Sequence, residues 1–172
     1  MEKIKIFLIK PQVFNLFKYL FIIFVCVLSP IVFILTNTLY PINFSPDTSF
    51  FYSVNDFYSS LNQVGQSGRQ FYIIIRWTFD LFYPIVYGIF LSQILLKLKI
   101  ENTLYLILPL LMVIFDYIEN SLATILVSLH RHTYNFFVYV LQIFSMLKWL
   151  TLVLIILLII KIYLLNKNVN TI

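Results

Sequence analysis

The sequence predicts an all-α fold: a bundle of four transmembrane helices with an amphipathic helix in the outer loop between spans one and two. Three observations predict it. The chain is 61% hydrophobic and only 11% charged over 172 residues, with a mean hydropathy of +0.93, which is too little charged surface for a soluble domain of this size. Four apolar stretches reach the roughly 20 residues that carry a helix across a bilayer. Basic residues gather at one set of their ends. Residues 1–172 therefore read as a single integral membrane domain, without internal repeat, low-complexity tract or linker.

Span one covers about Leu16–Thr36. Lys3, Lys5 and Lys10 precede it in the manner of a signal peptide. Its apolar run is too long for one and no small-residue cleavage site follows, so it reads as a retained span. The outer loop, 37–70, is interrupted early by Pro41 and Pro46. Phe50, Phe51, Val54, Phe57, Tyr58, Leu61 and Val64 then recur at helical spacing, around the capping-box signature Ser53-x-x-Asp56. This predicts an amphipathic helix lying at the outer interface or capping the bundle. Gly65 and Gly68, in "GQSGR", allow a sharp entry into span two, about Phe71–Leu96. Span three is about Leu104–Val127 and span four about Phe136–Leu165, the last long enough to tilt. Asn43-Phe-Ser fits a glycosylation acceptor, but Pro46 follows at once and the match reads as accidental.

Lys3, Lys5, Lys10, Lys18, Lys97, Lys99, Lys161 and Lys167 flank one side of the spans, and Asp47, Asp56, Arg69 and Arg131 the other. That bias places both termini and the Lys97–Asn102 turn in the cytoplasm of a multi-pass cell-membrane protein. The net charge of +5 belongs to topology and to anionic membrane lipids, with no nucleic-acid partner implied. The single cysteine, Cys26, excludes an intrachain disulfide and Cys-x-x-Cys redox chemistry. His130 and His132 around Arg131 make a weak metal signal, and an interfacial loop is the preferred reading. No cofactor motif occurs: no P-loop, nucleotide-binding glycine motif, zinc motif or serine-hydrolase elbow.

Polar residues within the spans point to a site. On span two, Tyr72, Arg76, Asp80, Tyr83 and Tyr87 are spaced four, four, three and four apart, one narrow helical face, with Arg69 a turn further out. Pro84 removes the hydrogen bond to the carbonyl of Asp80, leaving a backbone acceptor beside that carboxylate. Span three runs back with Asp116 near its middle and Glu119 and Asn120 a turn beyond. Span four offers Asn135, Tyr139, Gln142, Ser145 and Trp149 at helical spacing, with Lys148 next to that face. The depths agree, so the spans converge on one polar cavity. Intramembrane charges cost about 2.5–3.5 kcal/mol each even on insertion scales and mark functional sites by default. The site residues are thus Arg76, Asp80, Tyr83, Tyr87, Asp116, Glu119, Asn120 and Lys148, with Arg69 and Tyr72 at the interface. Three acids against two bases predict that Asp116 or Glu119 is held protonated. Gln142 and the serines, threonines and tyrosines are also explained by ordinary interhelical hydrogen bonding.

Gly65-x-x-Gly68-Arg69-x-x-Tyr72, Asp80-x-x-Tyr83-Pro84-x-x-Tyr87, Leu108-Pro109, Asp116-Tyr117-x-Glu119-Asn120 and Lys148-Trp149 together resemble a group of small four-helix integral membrane proteins with no assigned activity. The resemblance covers the last two-thirds of the chain. It implies fold and membrane location and brings no substrate or catalytic residue.

Three function classes follow. In the first, the cluster binds or moves a polar ligand, a lipid headgroup or a proton. In the second, it only fixes the packing of a structural or accessory subunit, which would have a membrane protein partner. In the third, a protonated and an ionised acid act as an acid/base pair on a lipid or isoprenoid. The order given is the order of preference, since no nucleophile or metal set accompanies the acids. A site open to lipid or water favours binding or catalysis; a closed, paired one favours packing.

Overall fold

A computed structural model describes residues 2–39, 52–98, 100 and 103–169. Pro41, Asn43, Pro46, Asp47, Phe50, Phe51 and Lys99 lie outside the described residues. The helices are α1 (Glu2–Leu8), α2 (Pro11–Ile23), α3 (Ser29–Leu39), α4 (Val54–Gln63), α5 (Gly65–Lys97), α6 (Thr103–Ser128) and α7 (Asn135–Val169). No strand occurs among the described residues. Four helical stretches are long and apolar enough to cross a membrane: Pro11–Thr38, Gly65–Lys97, Leu104–Ser128 and Asn135–Leu165. The chain is a membrane protein built as an all-α four-helix bundle.

The first span is continuous from α2 to α3 through one wide turn, Phe24–Leu28, in which the Ser29 amide donates to the Phe24 carbonyl five residues back. Pro30 explains it. Proline lacks the donor for the Cys26 carbonyl and its ring crowds that turn, and a widened turn relieves both. The Ser29 hydroxyl also donates to the Phe24 carbonyl, at 2.8 Å. The α2 half of this span lies along α5 through an aromatic ladder: Phe21 stacks on Phe90, and Phe24, in the wide turn, stacks on Tyr83. At its start, Gln93 donates from Nε2 to the Leu8 carbonyl at 2.9 Å, satisfying an orphan carbonyl at the end of α1.

The amphipathic helix is present as α4. Ser53 accepts from the Asp56 amide at 3.1 Å, and the Ser53 amide donates to Asp56 Oδ2 at 2.8 Å, so the capping box is complete. The helix caps the bundle: Phe57, Tyr58 and Leu61 are buried against Leu126 and Val127 of α6 and Val138 and Leu141 of α7. The Tyr134 amide donates to the Tyr58 hydroxyl at 2.8 Å, tying the cap to the α6–α7 turn. Gly65 makes the corner into α5 with φ of 66°, a left-handed conformation that L side chains resist. Gly68 does not share that role; it lies inside α5 and is buried.

α6 packs against both α5 and α7. Two apolar clusters form. One, at the end of the bundle covered by α4 (the distal end), is the cap cluster just described. The other, toward the α5–α6 turn, joins Tyr87, Leu91 and Leu95 of α5 to Met112 of α6 and Ile155 of α7. By residue position, the charged side chains lie between the two.

Candidate functional site

Helical periodicity alone accounts for the α5 contribution. Residues four apart stand one above the other, so Tyr72, Arg76 and Asp80 form a column. Arg76, 2% exposed, donates from Nη2 to the Tyr72 hydroxyl at 2.5 Å. Its Nη1 pairs with Asp80 Oδ2 at 3.7 Å. The same nitrogen donates across to α6, to Asn120 Oδ1 at 2.5 Å. Asn120 returns to α5 through Nδ2, which lies 3.5 Å from the Asp80 carbonyl. That carbonyl is the one Pro84 deprives of a helical donor, so the acceptor left by the proline is served from α6. A turn away, the Tyr117 hydroxyl donates to the Leu81 carbonyl at 2.6 Å.

Asp116 is the junction of the network. Tyr87 donates its hydroxyl to Oδ2 at 2.6 Å, Asn120 Nδ2 approaches Oδ1 at 3.3 Å, and Lys148 Nζ lies 3.6 Å from the same oxygen. Donors at both oxygens suit an acceptor-only carboxylate. Lys148 also pairs with Glu119 Oε2 at 2.5 Å, and Glu119 is 0% exposed. Charge and hydrogen bonding thus run without a break from Tyr72 through Arg76, Asn120 and Asp116 to Lys148 and Glu119, across three spans. Apolar clusters on either side keep the medium of low dielectric, which strengthens each pair and raises the penalty for any group left alone.

Seven of the eight residues expected in the site, together with Tyr72, meet in this network. Tyr83 does not join it by a hydrogen bond: it stacks on Phe24 and Phe79 and meets Tyr87 edge-on, in the aromatic seam with span one. Arg69 turns instead to α4, where Nη1 donates to the Leu61 carbonyl at 2.8 Å, near the C-terminal end of that helix. The face of span four differs from expectation. Tyr139 is 55% exposed and Asn135 is also exposed, whereas Val138, Leu141, Ser145, Lys148, Thr151 and Ile155 point inward. The inward stripe is offset by one residue, about 100° of rotation, from the polar one. Buried Gln93 was not foreseen; a lone amide in an apolar run off the polar stripe was its only signal.

The network closes on itself. Its cations and carboxylates occupy one another, and none of its residues lines the groove at the distal end. No group of three or more His, Cys, Asp and Glu that could hold a metal occurs among the described residues. No family model matches the sequence, and no curated protein or solved structure is significantly similar to it.

Proposed function

We propose that this multi-pass membrane protein uses its buried network to bind and pass a proton, rather than to hold a polar ligand or a lipid headgroup. The supporting observation is the charge imbalance of a network whose members pair with one another. Arg76 and Lys148 supply two positive charges, and Asp80, Asp116 and Glu119 supply three carboxyls, joined in one contact chain. A net charge buried among apolar residues is costly, and one bound proton neutralises this one. Asp80, with its side chain 20% exposed, is the member nearest to exchange with the surroundings. The lysine bias supports a cell membrane with both termini in the cytoplasm and membrane lipids as immediate surroundings. The resemblance to small four-helix membrane proteins is part of this proposal and brings no chemistry to it.

A packing role is the second reading, favoured by the same mutual pairing: buried charges joined across α5, α6 and α7 fix helix rotation and register. Infrared spectroscopy and proteoliposomes separate the two. Proton binding predicts a protonated-carboxyl band in the wild type that disappears in one of Asp80→Asn, Asp116→Asn or Glu119→Gln. Proton movement predicts that wild-type liposomes dissipate an imposed pH gradient faster than those carrying Asp116→Asn, at equal thermal stability. Equal dissipation by wild type, variant and empty liposomes leaves packing as the function. For orientation, in a Cys26→Ser background, Ser59→Cys should react with an impermeant thiol reagent in intact cells and Lys3→Cys should not. The reverse pattern inverts the topology.

A further inference from the structure

A groove of about 330 Å³ lies at the distal end, between the start of α5 and the end of α6. That volume is at the small end of the roughly 300–1,000 Å³ typical of ligand pockets. Its polar lining is Gln66, Arg69, Gln70, Ser128, His130 and Arg131. Three features of this lining single it out. It contains two arginines and no carboxylate. Neither arginine has a carboxylate partner among the described residues, whereas Arg76 pairs with Asp80 and Lys148 with both Asp116 and Glu119. And Arg69 is held in place: one of its five N–H donors binds the Leu61 carbonyl, which anchors the guanidinium, and its remaining donors have no hydrogen-bond partner among the described residues.

We propose that this groove is an anion site that takes a phosphate group, carried either by a phospholipid headgroup or by the free ion. Two guanidinium groups, Arg69 on α5 and Arg131 in the turn that follows α6, present planar, multiply donating surfaces of the kind that matches phosphate oxygens. Gln66 and Gln70, one helical turn apart on α5, add neutral amide donors. Ile73 and Val127 complete the lining with apolar surface, which suits a headgroup continuing into an acyl chain. The position at the ends of two membrane-spanning helices is the depth at which headgroups lie. None of the buried network residues takes part, so this site is independent of the proton reading.

The test uses the purified full-length protein with two probes. Native mass spectrometry compares retention of phosphatidylglycerol with that of diacylglycerol bearing the same acyl chains. Thermal shift in detergent compares inorganic phosphate with chloride at matched ionic strength. Arg131→Gln is the principal variant, because Arg131 is exposed and makes no described hydrogen bond, so folding should survive. Arg69→Gln is the second, and Lys97→Gln, at the other end of α5, is the control. The expectation is selective retention of the phosphate-bearing lipid, weakened about tenfold or more by either arginine variant and unchanged by the control. A phosphate response in detergent without lipid selectivity, lost in both arginine variants, assigns the site to the free ion. Equal retention of diacylglycerol without a phosphate response, an Arg131→Gln protein that binds like wild type, or an equal loss in Lys97→Gln overturns the proposal.

Discussion

Replacing Lys148 with Met tests the charge count most directly. The substitution keeps a long unbranched side chain and removes the cation that lies 2.5 Å from Glu119 and 3.6 Å from Asp116. Counting Arg76, Asp80, Asp116 and Glu119 as ionised, the network then carries an excess of two negative charges instead of one. Removing one partner of a buried ion pair commonly costs about 3–5 kcal/mol, chiefly because the other charge is left desolvated. Glu119 is fully buried, so the upper part of that range is expected. Glu119→Gln acts in the opposite direction on the count, since it brings two acids against two bases and leaves Lys148 with Asp116. It should therefore cost clearly less than Lys148→Met, even though both delete the same pair. The double variant restores the original excess of one and should recover part of the Lys148→Met loss. The assay is reversible unfolding in mixed detergent micelles for wild type, both single variants and the double. A coupling of about 0.5–3 kcal/mol is typical of residues in contact. Additivity within about 0.5 kcal/mol, or equal losses from the two single variants, would refute the reasoning.

Three further outcomes concern the elements that position the site. Ser53→Ala removes the cap of α4 and should lower its stability by about 1 kcal/mol, read as faster hydrogen exchange at α4 amides. Asp56 answers the Ser53 amide, and that hydrogen bond, together with the one from the Ser53 side chain, holds its carboxyl below the ordinary aspartate range. A depressed folded-state value contributes stability above the unfolded value and loses it as the pH falls through the folded one. Protection of α4 should therefore decline on acidification in the wild type and stay flat in Asp56→Asn. Gly88 admits close approach of α6, because a Cβ there would collide with Val113 Cγ2. Gly88→Ala should cost about 1–3 kcal/mol by overpacking, and Gly88→Ala with Val113→Ala should recover part of it. If the double variant is no better than the single, the approach of α6 is not what the glycine serves.

Much of this architecture is legible in the chain because it is local. Span length, the lysine bias, the Ser53–Asp56 box and the column of Tyr72, Arg76 and Asp80 all follow from spacing along one segment. Pro84 likewise announces a backbone acceptor at Asp80 from sequence alone, although not that Asn120 of another helix would serve it.

What the sequence by itself determined is therefore the membrane class, the four spans and which polar groups each span carries between its ends. Only the tertiary structure decided how the helices turn toward one another. It set Lys148 against Glu119, gave Asn120 to Arg76, turned Tyr83 into the aromatic seam with span one and rotated α7 so that Tyr139 faces outward while Ser145 and Lys148 face in. The physical reason is the solvent. In water an apolar stripe reports the buried face, but lipid tails are as apolar as leucine, so hydrophobic periodicity does not dictate which side of a spanning helix turns inward. Near a helix end, Asn135 and Tyr139 are also satisfied at the headgroup level without entering the bundle. Deeper in the span only another charge or a hydrogen bond compensates a buried ion, and the rotation of α7 follows its lysine.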